Sequence, residues 1–319
     1  MPSPIGPLRA FIFAPKDAEI RRVMAGFERP SETTALELER VTLHLVGGIN
    51  TAVRSSSNAE IIAALQPVPA RYRGFAFEGA AVGLTALDAL SPGHRAADLF
   101  ENAENFHFPM YPGVGMALAR IPKFRWQKLF PKHPLYRWLA VDGYGFYKAF
   151  FHTQKYVRQQ RFDTRYPRWM GDRAQVLRIA DQGIGRALWF VGGGSPAGLL
   201  RLIGQFDPSR HRDLWSGVGI AVTFAGGVDQ HDLDELRTAA GEHAKLLGLG
   251  AAMVTKIRLE TESVDTYTEA VVRTFCGGRT LDEVETVLEK SQVDLAVDGT
   301  AATYQLWRDR ITELIANGS

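Results

Sequence analysis

Apolar residues recur at helical rather than alternating spacing along most of the chain. Residues 32–53 open with a cap-like Ser31-x-x-Thr34 and continue with Leu36, Leu38, Val41, Leu45 and Val46. That spacing suits a helix, although residues 41–45 could form a strand on propensity alone. Residues 74–90, 113–121 and 139–151 are apolar on most faces, as buried helices are. Further helices are predicted at 16–27, 176–191, 198–206, 215–226, 232–247, 251–260, 266–274, 281–290 and 302–316; Thr280-x-x-Glu283 caps the segment at 281–290. The pattern predicts an all-α protein. Residues 1–13, with three prolines and no period, read as an arm, and 154–172 as a basic linker or surface loop.

Similar segments recur in the same order in two halves. His44-Leu-Val-Gly-Gly matches Trp189-Phe-Val-Gly-Gly, and Phe77-Glu-Gly matches Trp215-Ser-Gly. His107 before Gly113-x-Gly115 matches His243 before Gly248-x-Gly250, and Val141-Asp-Gly-Tyr144 matches Val264-Asp-Thr-Tyr267. An internally duplicated helical domain with pseudo-two-fold symmetry follows as an expectation. Its parts would be an arm and short helix (1–30), a first repeat (31–153), a basic linker (154–174), a second repeat (175–280) and C-terminal helices (281–319). A ligand cavity belongs at the junction of such halves.

Composition narrows the class. The chain has 319 residues, 45 % hydrophobic and 23 % charged, which is ordinary for a folded protein. The single cysteine, Cys276, allows no intramolecular disulfide and fits a reducing compartment. With no apolar leader and no clean spanning segment, a cytoplasmic protein without a membrane span is expected. Net charge is +2, but residues 120–173 hold thirteen Lys or Arg against Asp142, Asp163 and Asp172, with aromatics between them. Near-neutral overall charge and the lack of a binding motif argue against nucleic acid. A solvated face is the plainer reading of that segment, and a docking face for an acyl carrier protein the more specific one.

Few motifs carry chemistry outright. Glycines inside the apolar runs suggest close helix approach, since Gly in a helix costs about 1 kcal/mol relative to Ala and needs a reason. Gly183-x-Gly185 follows no strand, so a dinucleotide site is not expected. There is no Gly-x-Ser-x-Gly hydrolase elbow and no Asp-Asp-x-x-Asp run. Glu104-x-x-His107 and 231–235 are weak metal signals, so no metal and no organic cofactor are expected. Cys276 sits between Phe275 and Gly277 and reads as inert.

The carboxylates are more telling. Glu78, Asp142, Asp181, Asp213 and Asp265 stand beside apolar or aromatic residues. Buried there, each must be paired or kept protonated. Pairing predicts Asp181 with Arg186, and Asp142 with Arg120 or Arg137. A protonated acid in an apolar pocket would serve general acid chemistry.

Four blocks then stand out: Arg73-Gly-Phe-Ala-Phe-Glu-Gly-Ala-Ala, Leu135-Tyr-Arg-Trp-Leu-Ala-Val-Asp-Gly-Tyr-Gly-Phe, Asp181-Gln-Gly-Ile-Gly-Arg-Ala-Leu-Trp-Phe and Asp213-Leu-Trp-Ser-Gly-Val-Gly. Over roughly residues 35–280 the chain resembles a bacterial family labelled enediyne biosynthesis protein (domain of unknown function 1702). The resemblance implies secondary (antibiotic) metabolism on a hydrophobic, polyene-derived polyketide substrate, with no established mechanism. The resulting expectation is a cofactor-independent cyclase or isomerase with an aromatic-lined cavity. Asp142 would be the acid, with Tyr144 beside it and Glu78, Asp181 and Asp213 as further buried carboxylates. Trp138, Phe146, Trp189 and Trp215 would face the substrate. Arg120 and Arg186 would orient carboxylates or an anionic end. The alternatives are a non-catalytic substrate-binding partner of a polyketide synthase and a non-standard isoprenoid cyclase.

Overall fold

Helix starts are written into the chain as capping side chains. Ser31, Ser57, Asp172, Ser195, Asp207, Asp229, Asp265 and Thr280 each accept a backbone N–H of the first turn that follows. At Thr280 the box is reciprocal, with Glu283 returning to the Thr280 N–H. Thr280→Ala removes the hydroxyl that takes the Glu283 N–H and is expected to lower stability by about 1 kcal/mol. A urea titration reads this as an earlier midpoint, and an unmoved midpoint refutes it.

The computed structural model describes residues 17–317, without the side chain of Glu104. The predicted arm at residues 1–13 lies outside the described residues. Among these residues the chain is all-α, without a strand. In order the first helices are α1 (Asp17–Met24), α2 (Glu32–Arg54), α3 (Asn58–Leu65), α4 (Ala70–Leu90), α5 (Arg95–Asn102), α6 (His107–Leu118), α7 (Trp126–Leu129) and α8 (Leu139–Phe151). Then follow α9 (Arg173–Val191), α10 (Pro196–Ile203), α11 (Pro208–Ala225), α12 (Gln230–Ala240), α13 (Ala244–Glu260), α14 (Thr266–Phe275), α15 (Leu281–Gln292) and α16 (Ala301–Ala316). Residues 41–45 are helical, and none of the helices is long and apolar enough to cross a membrane.

Several boundaries differ from the sequence reading. The segments predicted at 113–121 and 215–226 start earlier, at His107 and Pro208. The break expected between 247 and 251 is absent, because Gly248 and Gly250 lie inside α13 as packing contacts. Helices α3 and α5 were not anticipated.

The long helices α2, α4, α6, α8, α9, α11 and α13 form a row in that order, each packing most closely on its neighbours in the row. The row curls, so that α2 touches α11 and α6 touches α13. Glycine makes the row tight. Gly115 of α6 faces the Ala140 carbonyl of α8, and Gly143 of α8 faces Pro112 of α6. Gly145 faces α9, Gly183 faces α8, Gly185 faces α11, Gly217 faces α9 and Gly219 faces α13. In each Gly-x-Gly pair from α6 to α11, the first glycine meets the preceding helix of the row and the second meets the following one.

The unit that recurs through the row is therefore a single glycine-bearing helix. Of the four matched segments, those around Gly79 and Gly217 occupy like places, each glycine facing the preceding helix of the row. The other three do not. Gly115 faces the following helix, α8, whereas Gly250 faces the preceding one, α11. Gly47 and Gly48 are interior to α2, whereas Gly192 caps the end of α9 and Gly193 follows it with φ of 70°. Asp142 lies in the first turn of α8, whereas Asp265 caps α14.

Candidate functional site

The residue just before the first glycine of a pair is polar on four helices: Glu78, Asp142, Gln182 and Ser216. All four are buried. Two of them, Glu78 and Asp142, meet Arg186, which lies one turn beyond Gln182 on α9. Arg186 Nη1 donates to Asp142 Oδ1 at 2.5 Å and Nη2 donates to Glu78 Oε1 at 3.3 Å. Gln182 Nε2 donates to Asp142 Oδ2 at 2.9 Å and to the Tyr304 hydroxyl of α16 at 3.4 Å. Asp142 is 0 % and Glu78 1 % exposed.

Burial separates the chemistry of these groups. It pushes the Glu78 carboxyl up to about 7, against the pull of Arg186, and the Asp142 charge adds to the rise. It also opposes the Arg186 charge, yet Asp142 and Glu78 together hold that guanidinium above its ordinary pKa. Two carboxylates share one cation, so the group with the weaker hydrogen bond is the one poised to carry a proton. That group is Glu78.

Glu78 and Arg186 line a cavity of about 130 Å³ between α2, α4, α8, α9 and α11. Its walls are Val41, Leu45, Ile49, Phe75, Phe146, Phe150, Phe190, Ile220 and Phe224, and the Arg186 guanidinium lies 5.0 Å from the Phe146 ring centre. An engineered cavity of about 150 Å³ lined by such side chains stays dry and binds benzene. At the other end the lining reaches the exposed residues Glu19 of α1 and Arg120, with Tyr147 half-buried between. Behind the triad, a void of about 20 Å³ is lined by Glu78, Asp142, Arg186, Met253 and Ile257.

Of the residues singled out in the sequence, Glu78, Arg186, Phe146 and Arg120 come together on this cavity. Asp142 sits behind Arg186, with both carboxylate oxygens taken. The other carboxylates are elsewhere. Asp181 takes a two-pronged contact from Arg210 at 2.9 and 2.5 Å rather than pairing with Arg186. Residues five apart lie about 140° around a helix, so Asp181 and Arg186 point apart. Asp213 pairs with Arg178 at 3.0 Å and Arg308 at 2.9 Å. Neither Arg120 nor Arg137 pairs with Asp142; Arg137 stacks on Phe130.

Tyr144 points away from the cavity and donates to Asp163, which also accepts from Tyr156 at 2.9 Å. Burial opposes ionisation of Asp163, but those bonds and the Lys123 and Lys148 charges hold it below the usual carboxylate range. The tryptophans lie away from this cavity. Trp138 donates to the Gly299 carbonyl at 3.1 Å and Trp189 to the Gly226 carbonyl at 3.3 Å. Trp215 is buried and lines neither cavity. Burial pushes the Cys276 thiol up to about 12. His107 contacts the Phe100 carbonyl, and the Glu104 side chain lies outside the described atoms. His231 is exposed in the first turn of α12. Among the described residues no group of three or more His, Cys, Asp or Glu side chains could hold a metal ion.

Phe75, Phe150 and Phe190 escaped the sequence reading. A signal was present: Phe75 and Glu78, Phe146 and Phe150, and Arg186 and Phe190 stand three or four apart, on one face of their helices.

Residues 4–315 match a family described as a protein of unknown function, DUF1702. No curated protein and no solved structure matches the chain.

Proposed function

The chain belongs to the DUF1702 family, whose description names no activity, and from its own geometry we propose a cofactor-independent isomerase or cyclase of hydrophobic, conjugated substrates with Glu78 as the general acid. The observation that carries this reading is a buried carboxyl poised near neutral pH in the wall of an aromatic-lined cavity. The role given to Asp142 in the sequence reading passes to Glu78, because Asp142 is the enclosed counter-ion of Arg186.

The chemistry follows from the charges. The Glu78 carboxyl gives its proton to a terminal carbon of the conjugated system. The π electrons of that double bond form the new C–H bond and leave an allylic cation. Phe75, Phe146 and Phe190 line the cavity, and aromatic rings stabilise such charge. The triad then carries two carboxylates and one guanidinium, so its net charge falls to −1 beneath the cation. Loss of a proton from a neighbouring carbon to the Glu78 carboxylate completes an isomerisation. Attack by a second double bond before that loss gives a ring. The resemblance to enediyne biosynthesis proteins supports a polyene-derived substrate. The cavity sets its scale, since a segment the size of a six-carbon ring fills it.

The test uses the full chain and 2,4,6-octatriene in deuterated buffer. Mass spectrometry reads deuterium incorporation, and ultraviolet absorbance reads loss of conjugation. Glu78→Gln is expected to reduce incorporation by about 10²-fold or more. Wild-type activity should fall as pH rises through about 7, where the acid form is lost. Stability carries the same sign. The folded pKa lies above the ordinary 4.5, so this contribution is complete below 4.5 and is lost as pH rises through about 7. Glu78→Gln should flatten that part of the stability profile. Full incorporation by the variant refutes the assignment.

A further inference from the structure

The outer end of the cavity is built differently from its floor. Arg120 follows the last turn of α6, is exposed and lines the cavity. Among the described residues no ion pair or hydrogen bond engages its guanidinium, whereas Arg186 in the same cavity is paired with both Glu78 and Asp142. Tyr147 of α8 stands close enough for Arg120 to act on its ionisation. Its ring packs at a tilt against Phe151 and its hydroxyl has no partner among the described residues. Burial keeps that hydroxyl protonated, and hence a donor. The acid facing it is Glu19 of α1, exposed and without an ion pair to Arg120. Lys148 is engaged with the Ala119 carbonyl at 3.0 Å.

Resting on the reading of the cavity as a substrate site, we propose that its mouth recognises a carboxylate, so that the ligand is an amphipathic organic acid held by Arg120 and the Tyr147 hydroxyl, with its apolar end against Glu78. The orientation follows from charge. The floor's one guanidinium is already shared by two carboxyl groups, which leaves no free positive charge there for a further anion. The mouth offers an unpaired fork of N–H donors and a phenol beside apolar Leu45, Val82 and Phe151. A guanidinium in that setting binds a carboxylate more strongly than in open water, because the walls exclude part of the solvent. The reactive double bonds of the substrate would therefore lie at the end remote from its carboxylate.

Saturated probes separate this inference from the chemistry above. Isothermal titration of the full chain with octanoate, 1-octanol and octylamine compares equal chains with different heads. Octanoate is expected to bind about tenfold or more tightly than octanol, the equivalent of one charge-assisted hydrogen bond, and octylamine more weakly than both. Arg120→Gln should weaken octanoate by about tenfold and leave octanol unchanged, with Arg120→Lys recovering part of the loss. Tyr147→Phe should weaken octanoate by a smaller factor, and Glu19→Gln should not weaken it. Arg120→Gln keeps its melting temperature, because the residue is exposed and unpaired. The proposal fails if octanol binds as tightly as octanoate, if Arg120→Gln retains wild-type affinity for octanoate, or if neither probe binds the folded chain. Octanoate binding by Glu78→Gln at wild-type affinity supports it independently of catalysis. Selective octanoate binding alongside full deuterium incorporation by Glu78→Gln would leave the mouth site standing and remove only the acid.

Discussion

Arg186→Met is expected to lower the free energy of unfolding by about 3–5 kcal/mol, the usual effect of taking one partner from a buried charge group. Glu78 and Asp142 are 1 % and 0 % exposed, and Arg186 is the shared cation between them. Without it, Gln182 remains as the donor to Asp142, and Glu78 loses the partner recorded for it. Glu78, already raised by burial, loses the charge that opposed the rise, so its folded pKa stands further above the unfolded one. The sign follows: its contribution to stability is greatest in acid, below the unfolded value, and is lost as pH rises. Urea titrations at pH 5 and pH 7.5 should show the larger deficit at pH 7.5. An equal deficit at both would show that lost packing, not charge, accounts for the change. A triple variant, Glu78→Leu with Asp142→Leu and Arg186→Met, should recover much of the stability and none of the catalysis.

The second large effect separates two adjacent glycines. Gly48→Ala is expected to destabilise by about 3 kcal/mol or more, and Gly47→Ala to stabilise by about 1 kcal/mol. A methyl group on Gly48 would lie 1.8 Å from the Ala76 carbonyl oxygen of α4, and backbone cannot step aside as a side-chain tip can. One on Gly47 would meet nothing within 4 Å, leaving only the gain in helix propensity. Thermal or urea unfolding of the two variants decides it. Equal effects would mean that the α2–α4 contact is looser than described. Because the same kind of contact recurs from α4 to α13, the row of helices is held at backbone distance. Its cavity therefore depends on glycine several helices away from Glu78.

How far the site could be read in advance differs residue by residue. Glu78 and Asp142 stood out because charge beside Phe77 and Val141 in a continuous apolar run must be paired or protonated once buried. Tyr144 was misplaced for the same local reason. It adjoins Asp142 in sequence, but two positions along a helix are about 200° around its axis, and Tyr144 turns to Asp163 instead. The tryptophans looked like substrate faces because aromatic area is conspicuous in a sequence, yet Trp138 and Trp189 use their indole N–H to close backbone carbonyls.

The sequence by itself determined most of the helices, because period, capping side chains and internal glycines act within one or two turns. It also determined that glycine would be spent on close packing and that some carboxylates would be buried. Only the tertiary structure decided which carboxylate faces space and which is enclosed. That outcome depends on the curl of the row, which brings residues 78, 142 and 186 onto one guanidinium and sets Arg120 apart at the mouth. Ion pairing across helices is fixed by the rotation and approach of whole elements, and nothing local in the chain encodes it.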